Sequence, residues 1–380
     1  MREDIQNKIS AVNTNLLLEL PTGYGKTKLA LDIIGDSNPT NILIVVPRNV
    51  LIKSWTDEIR KWGQESILDK VTFTTYVSLH KHIGKWSLIV FDECHHLSER
   101  CREVIPSFKY DKVVLLSATV KRDLKTIFYY LFKPLTILKV TTREAIDNEE
   151  LPDPKIVFIP LKLDNTKQDF CIVKNKNKSN PININYFDKY KYLGLKSCRI
   201  NIKCTQQQYY DDMNGYINWL KQRIHLEIYK RLYLRKCGER LKWLSEQKNS
   251  IMHKVLNKYK DYRTITFCST IAQTERLGRN CINSKNKKAQ EYLQAFNEGK
   301  INHITACDML NEGVNLSECQ VGIYAALNSS DRLIVQKTGR LLRHPDPIIV
   351  IPYFVNTRDE EIVNKMKENY NPELIKVVKL

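Results

Sequence analysis

Six short and largely unbroken apolar runs in the first 150 residues constrain this chain most: Leu16 to Leu20, Ile42 to Pro47, Val71 to Tyr76, Leu88 to Asp92, Val113 to Ser117 and Thr136 to Thr141. A strand wetted on one face alternates with a period of two, whereas a strand covered on both faces reads as a continuous run. The runs therefore predict a parallel sheet buried between layers of helix. Between two of them Leu51, Trp55, Ile59 and Trp62 recur at four, four and three residues, one face of a helix. Strand and helix units in alternation imply a doubly wound α/β domain.

A second series of the same kind follows late in the chain: Thr264 to Cys268, His303 to Cys307, Gly322 to Leu327 and Ile348 to Phe354. The acidic, proline-containing stretch Asn148-Glu-Glu-Leu-Pro-Asp-Pro154 reads as a linker. The expected organisation is a first α/β domain at 1–142, a linker at 143–159, a mostly helical insertion at 160–260 and a second α/β domain at 261–380. Within the insertion, 174–185 is polar and reads as loop. Residues 205–260 lack proline and place Tyr209, Met213, Tyr216, Ile217 and Leu220 near helical spacing.

Charge singles out that insertion. The 60 Lys and Arg residues outnumber 42 Asp and Glu, a net charge of +18, and residues 160–260 hold 22 of those bases with 8 of those acids. A clustered excess is the electrostatic footprint of a polyanion partner, where a scattered one gives only solubility. Tyr186, Tyr190, Tyr192, Trp219, Tyr229, Tyr233 and Trp243 are interleaved with it, rings able to stack on bases. The alternative is that these rings form a helical core and the lysines face water.

A hydrophobic content of 42% rules out wholesale disorder. The longest apolar runs fall far short of the roughly 20 residues of a membrane span. The opening Met-Arg-Glu-Asp does not read as a secretory signal, so a cytoplasmic location is expected. Ten cysteines lack any Cys-x-x-Cys pair, which argues for buried thiols over structural zinc.

The chemistry lies at strand ends. Pro21-Thr-Gly-Tyr-Gly-Lys-Thr27 follows one apolar run and precedes a helical stretch. Glycines 23 and 25 let backbone N–H groups turn inward around a phosphate chain at a helix N-terminus, where the dipole favours an anion. Lys26 would reach the β and γ phosphates of a nucleotide, and Thr27 would offer a hydroxyl to Mg²⁺. Thr22 and Tyr24 complete this loop. Asp92-Glu-Cys-His-His96 ends another run; Asp92 is placed to hold Mg²⁺, and Glu93 to polarise an attacking water as general base.

With these pieces in order the chain resembles the superfamily 2 helicases of DExH type over nearly its whole length. Motif I matches at 21–27, with Leu20 where the longer pattern has a glycine, and motif Ia at Val45-Val-Pro-Arg48 with Trp55 beyond it. Thr75-Tyr76 with Leu79 resembles the stretch before motif II, motif II spans Asp92 to His96 with Cys94 where alanine is usual, and motif III is Ser117-Ala-Thr119. Later, Phe267-Cys-Ser-Thr270 resembles motif IV, Asp308 to Asn315 motif V, and Gln336-Lys-Thr-Gly-Arg-Leu-Leu-Arg343 motif VI. Gln336, Gly339, Arg340 and Arg343 share one helical face by spacing.

The resemblance implies two tandem RecA-like domains that use ATP and Mg²⁺. It implies that Arg340 and Arg343 stabilise charge on the γ-phosphoryl group while Gln336 positions water. Gln6, Gly313 and Asn315 join the nucleotide set, and His96, Ser117 and Thr119 couple the site to movement. Pro47, Arg48, Thr75, Tyr76, Ser269 and Thr270 contact nucleic acid. The implied partner is DNA, single-stranded or forked, ahead of RNA, with a monomer acting in phage or bacterial DNA replication, recombination or repair. The alternatives are a double-strand translocase and a binding protein that holds ATP without turning it over.

Overall fold

In the computed structural model, residues 2–176, 198–278, 280–307, 316, 319–327, 344–368 and 370–379 are described. All six N-terminal runs are strands: β1 (Asn15–Glu19), β2 (Ile42–Val46), β3 (Val71–Thr75), β4 (Lys85–Phe91), β5 (Lys109–Ser117) and β6 (Leu135–Lys139). They form one sheet in the order β3-β2-β4-β5-β1-β6, every pair parallel. Successive residues enter opposite cores: Leu16, Leu18, Ile44 and Val90 pack on one face, Leu17, Val45, Ile89 and Phe91 on the other. Burial on both faces is why polar residues do not alternate along β1 and β2.

Helices α1 (Arg2–Ser10), α2 (Lys26–Ser37), α3 (Val50–Lys61), α4 (Glu99–Val104), α5 (Arg122–Leu131) and α6 (Thr142–Asp147) accompany the sheet. Leu51, Trp55 and Ile59 are buried along α3 as their spacing predicts. Trp62 departs from that face. It caps the helix at φ −97°, ahead of Gly63 at φ 65°, so its ring swings outward beneath the Lys28 and Lys61 ammonium groups, 4.9 and 5.2 Å from its centroid.

The second sheet is larger than the sequence suggests. To the four expected strands, β10 (Thr264–Phe267), β12 (His303–Ala306), β13 (Val321–Tyr324) and β14 (Ile348–Phe354), the structure adds β7 (Lys155–Leu161), β11 (Cys281–Ile282) and β15 (Ile375–Val377). The order is β11-β12-β10-β13-β14-β7-β15, again all parallel. Residues 148–154 form no helix or strand, but 155–159, expected as linker, are strand. Pro160 makes this run look unlike a strand; it lies past the Phe158–Val377 pair that ends the β15 ladder, where no neighbour needs its missing N–H.

The insertion opens with an antiparallel pair, β8 (Phe170–Lys176) against β9 (Cys198–Cys204), so 174–176 is strand where loop was expected. Residues 177–197, with Tyr186, Tyr190 and Tyr192, lie outside the described residues. Three helices follow, α7 (Gln206–Lys221), α8 (Glu227–Gln247) and α9 (Asn249–Lys258). Met252 and Val255 seat α9 against the second sheet, while Tyr210 and Leu244 pack on Leu163 and Phe354. Helices α10 (Ile271–Leu277), α11 (Ala289–Asn297) and α12 (Arg358–Lys367) complete the second body. No helix among the described residues is long and apolar enough to cross a membrane.

Candidate functional site

Because the strands of the first sheet are parallel, their C-terminal ends form one edge, and β4, β5 and β1 are neighbours there. That edge is where open α/β sheets place ligands. The loop after β1 carries Gly23 at φ 91° and Gly25 at φ 93°, a backbone region that only glycine adopts without strain, and Gly25 caps α2. The twelve-residue α2 points its N-terminus at the loop. Lys26 folds back, donating to the Leu20 and Pro21 carbonyls at 3.1 and 3.5 Å. The Thr22 hydroxyl is buried and has no hydrogen-bond partner among the described residues.

Across the edge Asp92 follows β4, its backbone N–H donating to the Val45 carbonyl. The Trp55 indole N–H donates to the Asp92 carboxylate at 2.9 Å, and the Tyr76 hydroxyl donates to the Asp92 carbonyl at 2.7 Å. Burial, reinforced by the adjoining Glu93 carboxylate, pushes the Asp92 carboxyl up to about 6 despite the Trp55 bond and the Lys26 charge. A buried carboxylate so incompletely compensated suits a hard divalent cation. A carboxylate and a hydroxyl are oxygen donors of the kind that fit Mg²⁺, which Asp92 and Thr27 would hold. Cys94 is fully buried, and burial, with Glu93 and Asp92 close by, raises its thiol, so it sits as a small neutral side chain.

Glu93 adopts φ 49°, a left-handed conformation that costs a non-glycine residue and that often marks working sites. The turn brings His95 Nδ1 3.3 Å from Glu93 Oε2 and 3.0 Å from Ser117 Oγ. Ser117 Oγ donates its own hydrogen to the Thr119 carbonyl at 3.0 Å, and a carboxylate can only accept. The network thus assigns a hydrogen to His95 Nδ1, donated to Ser117 Oγ with the Glu93 carboxylate alongside. Ser117 also accepts from the Leu20 N–H through its carbonyl, tying the end of β5 to the start of the phosphate loop.

Residues 1–122 match the family described as type III restriction enzyme, res subunit, and residues 247–345 match the helicase conserved C-terminal domain. The DNA 3'-5' translocase XPB2 of Sulfurisphaera tokodaii is 25% identical over 353 residues, 87% of this chain and 75% of the relative. Together these matches support a superfamily 2 DExH-type helicase. The crystal structure of the Pyrococcus furiosus Hef helicase domain shares the fold at a TM-score of 0.53 and 15% identity, covering 96% of this chain and 97% of that one. Tandem RecA-like domains are thus the architecture of this DExH-type, ATP-dependent helicase.

At two expected site residues the geometry of this helicase differs from the expectation. The sequence points to His96 as the coupling histidine, but it is His95 that bridges Glu93 and Ser117; His96 instead lies against the Tyr76 ring, centroids 5.9 Å apart. Tyr76, expected on nucleic acid, is buried with its hydroxyl on Asp92, and burial raises its phenol further. In the 3-10 turn that follows β3 at Tyr76–His82 the next residue, Val77, is the one that emerges, 83% exposed. Thr75 is half-buried on the same edge as half-buried Pro47 and exposed Arg48, since Val46 and Thr75 are paired in the sheet.

Thr119 has a buried hydroxyl without a hydrogen-bond partner among the described residues. Gln6 is exposed on α1 and donates to Asp32 of α2 at 3.2 Å. In the second domain Ser269 and Thr270 follow β10, and Thr270 caps α10 by accepting from the Gln273 N–H. Gly313, Asn315, Gln336, Arg340 and Arg343 lie outside the described residues. Sequence reasoning also passed over Glu19, buried at the end of β1, where it accepts from the Val120 N–H at 3.1 Å and pairs with Lys125. An acid closing an apolar run was the available signal.

Proposed function

We propose that this helicase is a DNA motor that hydrolyses ATP between its two domains and moves along, and unwinds, single-stranded or forked DNA. The observation that carries this reading is the Glu93–His95–Ser117 chain. It joins the residue suited to activate water to the strand end that also holds the phosphate loop. Lys26 would leave its two carbonyls for the β and γ phosphates, and Glu93 would accept a proton from water held against the γ-phosphoryl group. Mg²⁺, held by Thr27 and Asp92, would neutralise phosphate charge. Gln336, Arg340 and Arg343, with Gly313 and Asn315, would complete the site from the second domain when the cleft closes, Gln6 would read the base, and Thr119 would join Ser117 in coupling.

Support for DNA comes from the related protein named as a DNA translocase and from the basic insertion. Pro47, Arg48, Thr75, Ser269 and Thr270 would follow the phosphate backbone, giving salt-sensitive and sequence-insensitive binding. A phage or bacterial setting in replication, recombination or repair, in the cytoplasm and as a monomer, is the corresponding biological reading. DNA-stimulated phosphate release from wild type and Glu93→Gln tests the motor; equal, negligible rates in both would leave a nucleic-acid-binding protein that holds ATP. Strand displacement on one panel of forked, blunt and tailed DNA and RNA duplexes then decides the substrate. Turnover without displacement favours the second reading, a double-strand translocase; that relative's name supports translocation on DNA.

A further inference from the structure

Gln273 of α10 is fully buried and uses its whole hydrogen-bonding capacity on two separate parts of the molecule. Its carbonyl oxygen accepts from the Ser269 N–H at 3.0 Å and the Ser269 hydroxyl at 3.3 Å, just past β10. The same oxygen accepts from the Ser245 hydroxyl at 2.7 Å, in the last turn of α8. Its amide nitrogen donates to the Ser245 carbonyl at 2.7 Å and to Asn249 Oδ1 at 2.9 Å, where α9 begins. One side chain thus fastens the turn after β10 to the junction of α8 and α9.

A second polar fastening sits beside it. Lys248, between Ser245 and Asn249, is fully buried and forms an ion pair at 2.7 Å with Asp359 in the first turn of α12. The Tyr210 hydroxyl of α7 accepts from the Arg358 N–H in that same turn at 2.8 Å. Apolar side chains of similar volume would seat the insertion equally well, since buried polar networks gain little net stability. What the Gln273 side chain adds, with both of its polar atoms bonded, is a single fixed geometry.

We propose that Gln273 is a positioning residue that locks the Ser269–Thr270 turn to the helical insertion, so that the placement of α7 and α8 sets how this turn meets nucleic acid. The proposal rests on the reading of Ser269 and Thr270 as nucleic-acid contacts. The insertion and the turn then move as one piece, and load on the α7–α8 pair reaches the DNA grip without passing through the ATP site.

The test removes the insertion's side of the lock and leaves Gln273 and Ser269 intact, using the full-length double variant Ser245→Ala/Asn249→Ala. Amide hydrogen exchange without nucleic acid is expected to quicken about tenfold at Ser269, with Ile265 and Phe267 of β10 unchanged. The DNA concentration for half-maximal ATPase stimulation is expected to rise about fivefold, the loss of one hydrogen bond's worth of grip, with DNA-free turnover unchanged. Asn249→Asp keeps the acceptor and is expected to behave as wild type. Unchanged exchange at Ser269 overturns the lock, and so does faster exchange spread equally over β10, which marks a merely structural role. Faster exchange at Ser269 with unchanged DNA dependence overturns the positioning role. A wild type without DNA stimulation fails the functional reading and takes the positioning role with it; exchange at Ser269, read without DNA, tells that failure from a missing lock.

Discussion

At the C-terminal edge of the first sheet the groups that matter are buried and bonded to one another: Asp92 to Trp55, His95 to Ser117, Glu19 to Lys125. Along α7 and α8 the conspicuous groups face outward. Tyr216 and Trp219 are exposed and stacked, Tyr229 meets Trp219 edge-on, and the Arg223 guanidinium lies 4.1 Å from the Trp219 ring centroid. Ile228 and Leu234 are exposed as well. Trp243, farther along α8, turns inward against Tyr209, Tyr210 and Phe170. The first region is built to hold a few atoms in one geometry, the second to present an adaptable surface, and substitutions should act on them in different currencies.

The largest expected effect falls on the buried edge. Glu93→Gln should lower DNA-stimulated phosphate release by about 10²- to 10⁴-fold, the usual range for losing a general base, while leaving the melting temperature near wild type. His95→Ala should reduce the same rate by about tenfold, the scale of one charge-assisted hydrogen bond, with His96→Ala close to wild type. The reverse ranking would return the coupling role to His96.

Asp92→Asn separates function from stability. A carboxyl pushed up to about 6 by burial costs the folded state free energy at neutral pH, because the unfolded chain ionises it more readily. The asparagine variant should therefore melt later at pH 7.5, by about 1–3 kcal/mol of stability, while losing turnover. The gain should shrink as pH falls through 6 and vanish below the ordinary carboxylate range, where both states of the wild type are protonated. A gain that persists at pH 3.5 would show that ionisation is not its source.

On the exposed pair the effects are smaller and appear in binding. Charge reversal at Lys230, Arg231 and Arg235 should lessen the salt dependence of DNA affinity by about 2–3 in the log–log slope, with the melting temperature little changed. Their side chains are exposed, and their ion pairs with Glu227 and Glu239 are of the weak surface kind. Trp219→Ala should weaken binding by about 1–3 kcal/mol without destabilising the fold, whereas Trp243→Ala should cost about 2–4 kcal/mol in stability. An unchanged salt slope would reduce α7 and α8 to a solvated support.

What could be read beforehand follows the physics of each element. Double-sided burial makes β1, β2 and β4 visible as apolar runs, and the phosphate loop is visible because only glycines fit its backbone. Strands β11 and β15, two and three residues long, offer no pattern to detect, and Pro160 disguises β7. Adjacent histidines at 95 and 96 are indistinguishable until the φ 49° turn at Glu93 aims one of them. Gln273 is invisible for a similar reason, since one polar residue in a short helix says nothing of partners on Ser245 and Asn249, more than twenty positions away.

The seven-residue ladder between β7 and β14 has a mechanical meaning. The backbone passes from the first domain into the second through 148–154 and then β7, which pairs with β14 from Lys155 to Leu161 and with β15 on its other side. A pull transmitted along that strand loads its backbone bonds in shear, all together, where an edge hairpin would peel open one bond at a time. The tether between the two halves is thereby anchored in the interior of a sheet, the kind of mooring that resists repeated tugging.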